Sequence, residues 1–205
     1  MKKMTGLLNT TIIRVVFSLI SVFFLGISCT KEKSAVSPPP TEDSIFTNQI
    51  PTGPTENGIK GGIELGVKFQ SEVAGYVEAI RFYKTPGNTG MHTGQLYSAD
   101  GTLLASQLFV NETDSGWLVM PFAAAIPIAA NTTYIAAYHS SLGNYISTAY
   151  GLKTAITNTP LTALADSTDG KNGLFKYTNT PDFPDSGYLS NNYWVDIKGN
   201  YVKTY

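Results

Sequence analysis

The sequence predicts an all-β fold, a single antiparallel sandwich, and three observations carry that expectation. Apolar and polar residues alternate over many short runs. Gly, Asn and Pro punctuate the runs. The chain also holds 12 tyrosines, good strand formers whose polar end tolerates half-burial. Many short strands separated by turn residues point to a sandwich of jelly-roll or immunoglobulin-like type.

The N-terminus is set aside first, because a targeting segment is not part of a fold. Lys2, Lys3 and Arg14 make a positive start, and "VVFSLISVFFLGI" follows, Val15 to Ile27. That run falls short of the about 20 residues a bilayer span needs. It ends in Gly-Ile-Ser-Cys, which resembles the lipobox of bacterial lipoproteins. The resemblance implies cleavage before Cys29 and a diacylglycerol on its sulfur. Residues 1–28 are thus expected to be a lipoprotein signal peptide, and the membrane to be engaged through the Cys29 lipid alone. Cys29 is the chain's single cysteine, so no disulfide is available and the fold must hold by packing. Cleavage takes away three of the 14 basic residues and none of the 15 acidic ones, leaving a net charge of −4. With no basic stripe, nucleic acid is not an expected partner.

Residues 29–43, rich in charge and carrying Pro38, Pro39 and Pro40, read as a solvated, stiffened tether. Residues 44–205 read as one sandwich domain, long enough to bury roughly 70% of its unfolded surface. Ile45 and Phe46 suggest a short first strand. In "GIELGVKFQ", Ile63, Leu65, Val67 and Phe69 alternate with Glu64 and Lys68, the pattern of a half-buried strand. In "YVEAIRFYK", Ile80 and Phe82 share one face and Arg81 and Tyr83 the other. Leu65, Val67, Phe69, Ile80 and Phe82 are the predicted core, and Arg81 is expected on the far side of the sheet. Asp100-Gly101 supplies a hairpin turn between Leu96 and Leu103. "GWLVMPF" alternates again, and "NTTYIAAYHS" and "NYISTAYG" flank Leu142-Gly143 as a second expected hairpin. "GLFKYT" and "NYWVDIKGNYV" close the chain. Only "TAITNTPLTALAD", Thr154 to Asp166, could hold a short helix, interrupted at Pro160.

"ELGVKF", "GYVEAIRFYK", "NTGMHTGQLYSADGTLLA", the Gly116-Trp117 pair, "NTTYIAAYH", Asn172-Gly173 and "NYWVD" together resemble the bacterial domain of unknown function 4082, in the family's order. Tyr97 stands where that family commonly has Trp, and Leu118 where Gln usually follows Gly-Trp. The resemblance implies an extracellular domain of a kind that often accompanies immunoglobulin-like repeats or carbohydrate-active modules. It implies no reaction.

No Gly-x-Ser-x-Gly elbow occurs, and Cys29 lies outside the domain. His92 and His139 are the two histidines. They are without the close-spaced partners of a zinc site, and "DSTDGKNG" lacks the 1-3-5 carboxylate spacing of a calcium loop. No metal, cofactor or catalytic residue is therefore expected. Glycoside cleavage needs two opposed carboxylates. Glu64, Glu78, Asp166, Asp169 and Asp196 are available, but sequence cannot pair them.

Aromatic residues carry the binding reading, since sugar rings stack on Trp and Tyr. The candidates are Trp117, Tyr145, Tyr193 and Trp194, with Arg81, Asn172 and Asp196 as polar partners and His92 in a Gly-rich loop. Against this, aromatic residues fill sandwich cores and a Trp is usually largely buried. Arg81 reads first as a cover over tyrosine rings and second as a ligand contact. Alternation places Tyr193, Val195 and Ile197 on one side and Trp194, Asp196 and Lys198 on the other. Trp194 and Asp196 are thus preferred to Tyr193 as a sugar contact. The expected protein is a monomeric, lipid-anchored module of the bacterial cell envelope, most naturally at the outer membrane. It is expected to bind a glycan or a surface protein without catalysis. A carbohydrate-active hydrolase is the alternative, and a structural or assembly module the third reading.

Overall fold

The structure, a computed structural model, describes residues 41–52, 55–59 and 61–201. The expected signal peptide, Cys29 and residues 30–40 of the expected tether lie outside the described residues. No helix occurs among the described residues.

The strands run β1 (Thr41–Asp43), β2 (Thr55–Gly58), β3 (Ile63–Ser71), β4 (Gly75–Lys84) and β5 (His92–Ser98). Then come β6 (Leu103–Leu108), β7 (Gly116–Ile128), β8 (Tyr134–Ser140), β9 (Asn144–Ser147) and β10 (Ile156–Asn158). The last four are β11 (Leu161–Ala163), β12 (Leu174–Tyr177), β13 (Ser186–Gly187) and β14 (Val195–Tyr201). The smaller sheet has the order β1-β14-β4-β7, and the larger has β10-β11-β3-β8-β5-β6. In the larger sheet β11 and β12 share one edge of β3, at Phe69–Ser71 and Ile63–Gly66, and β12 also pairs with β13. All pairs are antiparallel.

The inner faces follow the period of two. Ile63, Leu65, Val67 and Phe69 of β3 meet Ile80 and Phe82 of β4, Leu118 and Met120 of β7, and Val195 and Ile197 of β14. A register shift between Val77 and Ala79 changes the parity of β4, so Val77 joins Ile80 and Phe82 in the core. Phe82 lies at the centre, stacked on Tyr138 at 4.3 Å and edge-on to Phe109 at 5.0 Å. The sheets approach closely at Gly94, where a Cβ would come 2.8 Å from Ile80 Cβ.

Several sequence expectations change. Ile45 and Phe46 are buried but not strand, and the edge strand is formed by the tether's Thr41–Asp43 on β14. The segment expected to hold a helix is the β10–β11 hairpin, turning through the cis Thr159–Pro160 bond. The Leu142-Gly143 turn is present, with Gly143 N–H donating to the Ser140 carbonyl, but it does not make a hairpin. Both edges of β8 are occupied, by β3 and β5, so β9 leaves and pairs with β2.

The outer face of the larger sheet is not open either. Tyr97, Ile135, Ala137 and Leu174 form a second apolar cluster, with Phe183 edge-on to Tyr97 at 5.4 Å. Glu64, beneath this cover, is fully buried. Oriented by its neighbours, the Gln95 amide donates to Glu64 Oε1 at 2.7 Å, and the Asp182 N–H reaches Oε2 at 3.3 Å. Burial pushes the Glu64 carboxyl well above its ordinary 4.5; the Asp182 N–H opposes this and the Asp182 charge adds to it. A raised pKa means the folded state holds the proton more tightly than the unfolded chain. Stability from this group is complete below the ordinary value and is lost as pH rises through the raised one. Glu64→Gln, which mimics the protonated acid, should therefore stabilise the domain at pH 8 and do little at pH 4. Urea unfolding across that range checks this, and an unchanged pH profile in the variant would assign the dependence elsewhere.

Candidate functional site

Arg81, Trp117, Trp194 and Asp196 come together, but in the interior. The outer face of the smaller sheet is covered by residues 44–49. Asp196 Oδ1 accepts the N–H of Ile45 at 2.9 Å and of Ile197 at 2.7 Å, and Oδ2 accepts the Phe46 N–H at 3.0 Å. Arg81 donates to Asp196 Oδ2 from Nε at 2.9 Å and from a terminal nitrogen at 2.6 Å; that terminal nitrogen also reaches the Thr47 carbonyl at 2.7 Å. The guanidinium carbon lies 4.1 Å above the Trp117 ring, not over tyrosines. Burial pushes the Asp196 carboxyl upward, and the Arg81 charge and the backbone N–H donors work against that push.

The expectation of an exposed Trp194 beside Asp196 is corrected. Trp194 is 7% exposed and Asp196 0%. Trp194 packs on Phe46 at 5.5 Å and donates from Nε1 to Thr148 Oγ1 at 3.0 Å. Trp117 is half-buried, stacked on Phe46 at 6.1 Å, and donates to the Gln49 carbonyl at 2.7 Å. Arg81, 4% exposed, is likewise no surface cover. The face assignment by alternation is right for Tyr193, Val195 and Ile197; the opposite face is buried as well, because the N-terminal segment lies on it.

His92 is also interior rather than a solvated loop residue. Its Nδ1 lies 2.9 Å from both Glu112 carboxylate oxygens and its Nε2 2.8 Å from Asn88 Oδ1, while Lys84 closes on Glu112 at 2.7 Å. Burial lowers the His92 pKa and Glu112 opposes that shift. Asn172 ties a loop to β3. It accepts the Lys68 N–H at 2.8 Å and donates to the carbonyls of Lys68 at 3.0 Å and Leu164 at 2.7 Å. Among the described residues, no three His, Cys, Asp or Glu side chains cluster as a metal would require.

Tyr145 lies elsewhere, in a cleft of about 200 Å³. Its walls come from β9, from β12 and from the segment before β14. A Thr148–Asn192 bridge, with N–H···O distances of 2.9 and 3.0 Å, holds the end of β9 against that last segment. Tyr145 meets Tyr193 edge-on at 5.7 Å, and Phe175 meets Tyr177 in the same way at 5.4 Å. Tyr177 and Tyr188 are 64% and 59% exposed, while Tyr193 is buried at the base. Burial pushes the Tyr193 hydroxyl up to about 12 and raises that of Tyr145. Both are neutral phenols at physiological pH and can donate as well as accept. Asn191 Nδ2 donates to Tyr193 Oη at 3.4 Å, and its buried Oδ1 has no partner among the described residues. No carboxylate is among the lining residues.

A family model described as Domain of unknown function (DUF4082) matches residues 48–195. The chain belongs to the DUF4082 family. The matched DUF4082 span takes in the whole tyrosine cleft and stops at the first residue of β14. The resemblance read from the sequence motifs is therefore sound. No curated protein matches this DUF4082 chain.

Phe175, Tyr177, Tyr188 and Asn191 escaped the sequence reading, and Tyr193 was set aside as core. One signal was present: Phe175 and Tyr177 stand two apart on a short strand and so share a face. Their meeting with Tyr145 depends on non-local pairing.

Proposed function

We propose that this domain is a non-enzymatic glycan-binding module of a lipid-anchored bacterial envelope protein, and that the tyrosine-lined cleft is its site. The observation that carries the reading is the cleft itself, with two exposed tyrosines over a base of Tyr193 and Asn191. Aromatic faces take the C–H face of a sugar ring, and phenol and amide groups take its hydroxyls. The absence of a carboxylate from the lining favours binding over hydrolysis, which usually needs two. In the same reading the Cys29 sulfur carries the lipid.

The experiment is a glycan array probed with the full chain in detergent, followed by titration of the tightest glycan. Cells grown with labelled palmitate report the anchor in the same preparation. Tyr177→Ala and Tyr188→Ala should each weaken binding about ten-fold, worth ~1.4 kcal/mol, with the thermal midpoint unchanged because both rings are exposed. Trp194→Ala should instead lose stability. Retention of no glycan would overturn the proposal, and release of reducing sugar from a polysaccharide would put the hydrolase reading in its place.

A further inference from the structure

A second cleft, of about 250 Å³, shares a wall residue with the first: Tyr188 lines both. Asp166, Lys171, Asn172 and Ser190 also line it. We infer that the two clefts are adjacent subsites for one linear oligosaccharide, with one sugar unit over the tyrosines and the next held by Lys171 and Asp166. This rests on the reading of the tyrosine cleft as a glycan site.

The chemistry of the second cleft differs from that of the first and complements it. The Asn172 N–H donates to Asp166 Oδ1 at 2.8 Å, and the Ser190 hydroxyl to Oδ2 at 2.8 Å. These bonds hold the Asp166 carboxyl below its ordinary range, so it is ionised and fixed in place. Each carboxylate oxygen keeps a further acceptor site. Lys171 supplies three N–H donors on a flexible stem, and its charge acts on Asp166. A charged donor beside a charged acceptor makes strong hydrogen bonds to neighbouring hydroxyls, which is what a sugar ring offers at its edge. The tyrosine cleft supplies faces; this one supplies edges.

The backbone at the junction is a second, independent observation. Leu189 and Ser190 are consecutive non-glycine residues at φ 50° and 47°, and Tyr150 and Ser167 beside them have φ 60° and 74°. Side chains seldom adopt that left-handed region, and such residues gather where a surrounding structure must hold a functional shape. Here the surroundings do hold it. Tyr150 N–H donates to the Leu189 carbonyl at 2.9 Å, Leu152 N–H to the Ser190 carbonyl at 2.8 Å, and Asn191 N–H to the Tyr188 carbonyl at 3.1 Å. The tight turn sets Tyr188 outward between the clefts while Asn191 goes inward.

The test is a chain-length series on the full chain in detergent. The probes are linear 1,4-linked oligomers of glucose, mannose, xylose and N-acetylglucosamine, from one to six units. Within the series that binds, affinity should rise roughly ten-fold from one unit to two or three and then level off. Lys171→Ala should remove that rise, so that longer oligomers bind no more tightly than a single unit does. Ser190→Ala, which releases one side of Asp166, should reduce it. Tyr177→Ala should weaken every length alike. Affinity independent of length, or a rise that survives Lys171→Ala, would overturn the two-subsite inference and leave the tyrosine cleft standing. Binding of no oligomer at any length would fail the cleft reading itself.

Discussion

Arg81→Ala should destabilise the domain by about 3–5 kcal/mol in urea unfolding, because it strands a buried charge. Asp196 is completely enclosed, and without the guanidinium its carboxylate keeps, among the described residues, the backbone N–H donors of Ile45, Phe46 and Ile197. The substitution also frees the Thr47 carbonyl and removes the group lying on Trp117. Arg81→Lys should lose less, since it keeps the charge while giving up the planar double contact. A loss below about 1 kcal/mol for Arg81→Ala, the range of an exposed ion pair, would show that residues 44–49 do not seal this face.

Phe82→Ala should cost about 3–5 kcal/mol as well, for a different reason: it opens a cavity in the centre of the sandwich. The ring reaches from β4 of the smaller sheet onto the larger one, stacked on Tyr138 of β8 and near His92 of β5 at 4.8 Å. The Phe82→Ala variant should bind a small apolar probe such as benzene or xenon in the vacated space, whereas Arg81→Ala should not. Two adjacent residues pointing in opposite directions along one strand are thus both expensive to truncate. Equal urea midpoints for wild type and Phe82→Ala would place the sandwich core elsewhere.

That pair also shows how far the sequence could be read. Alternation along β3 and β4 identified the core residues and even the side on which Arg81 stands. It could not say that the side is covered, because a period of two reports which residues share a face and not what lies on it. Covering depends on Ser44–Gln49 folding back over β4 and β14, held by hydrogen bonds spanning up to 151 positions in sequence. Asp100-Gly101 was legible because its turn is local, with Gly101 at φ 89°. Leu142-Gly143 misled for the opposite reason, since the fate of β9 was decided by strands already flanking β8. The candidate cleft was the least legible feature. Tyr145, Tyr177 and Tyr193 are in three separate segments, and non-local pairings, the Thr148–Asn192 bridge and the β3–β12 ladder among them, bring them to one place. Trp194 was misplaced partly because it sits at φ 54°, outside the strand whose parity was used to orient it.

The seal formed by residues 44–49 acquires a mechanical meaning if the chain is tethered upstream at Cys29. Tension from the membrane would enter at Thr41 and load β1 against β14, where Thr41, Glu42 and Asp43 face Tyr201, Asn200 and Gly199. It would next meet a series of fastenings: the Ser44 carbonyl on Asn158, the Ile45 and Phe46 amides on Asp196, the Thr47 carbonyl on Arg81 and the Gln49 carbonyl on Trp117. From Phe46 the path passes through Trp194 to Thr148, and so to the bridge that shapes the tyrosine cleft. If the cleft also holds a polymer, a pull between that polymer and the membrane would pass through these fastenings before it reached the sandwich itself. In such an arrangement the domain's grip and its resistance to unravelling are set by the same few bonds, and a weak fastening at Asp196 would show first as a lower rupture force.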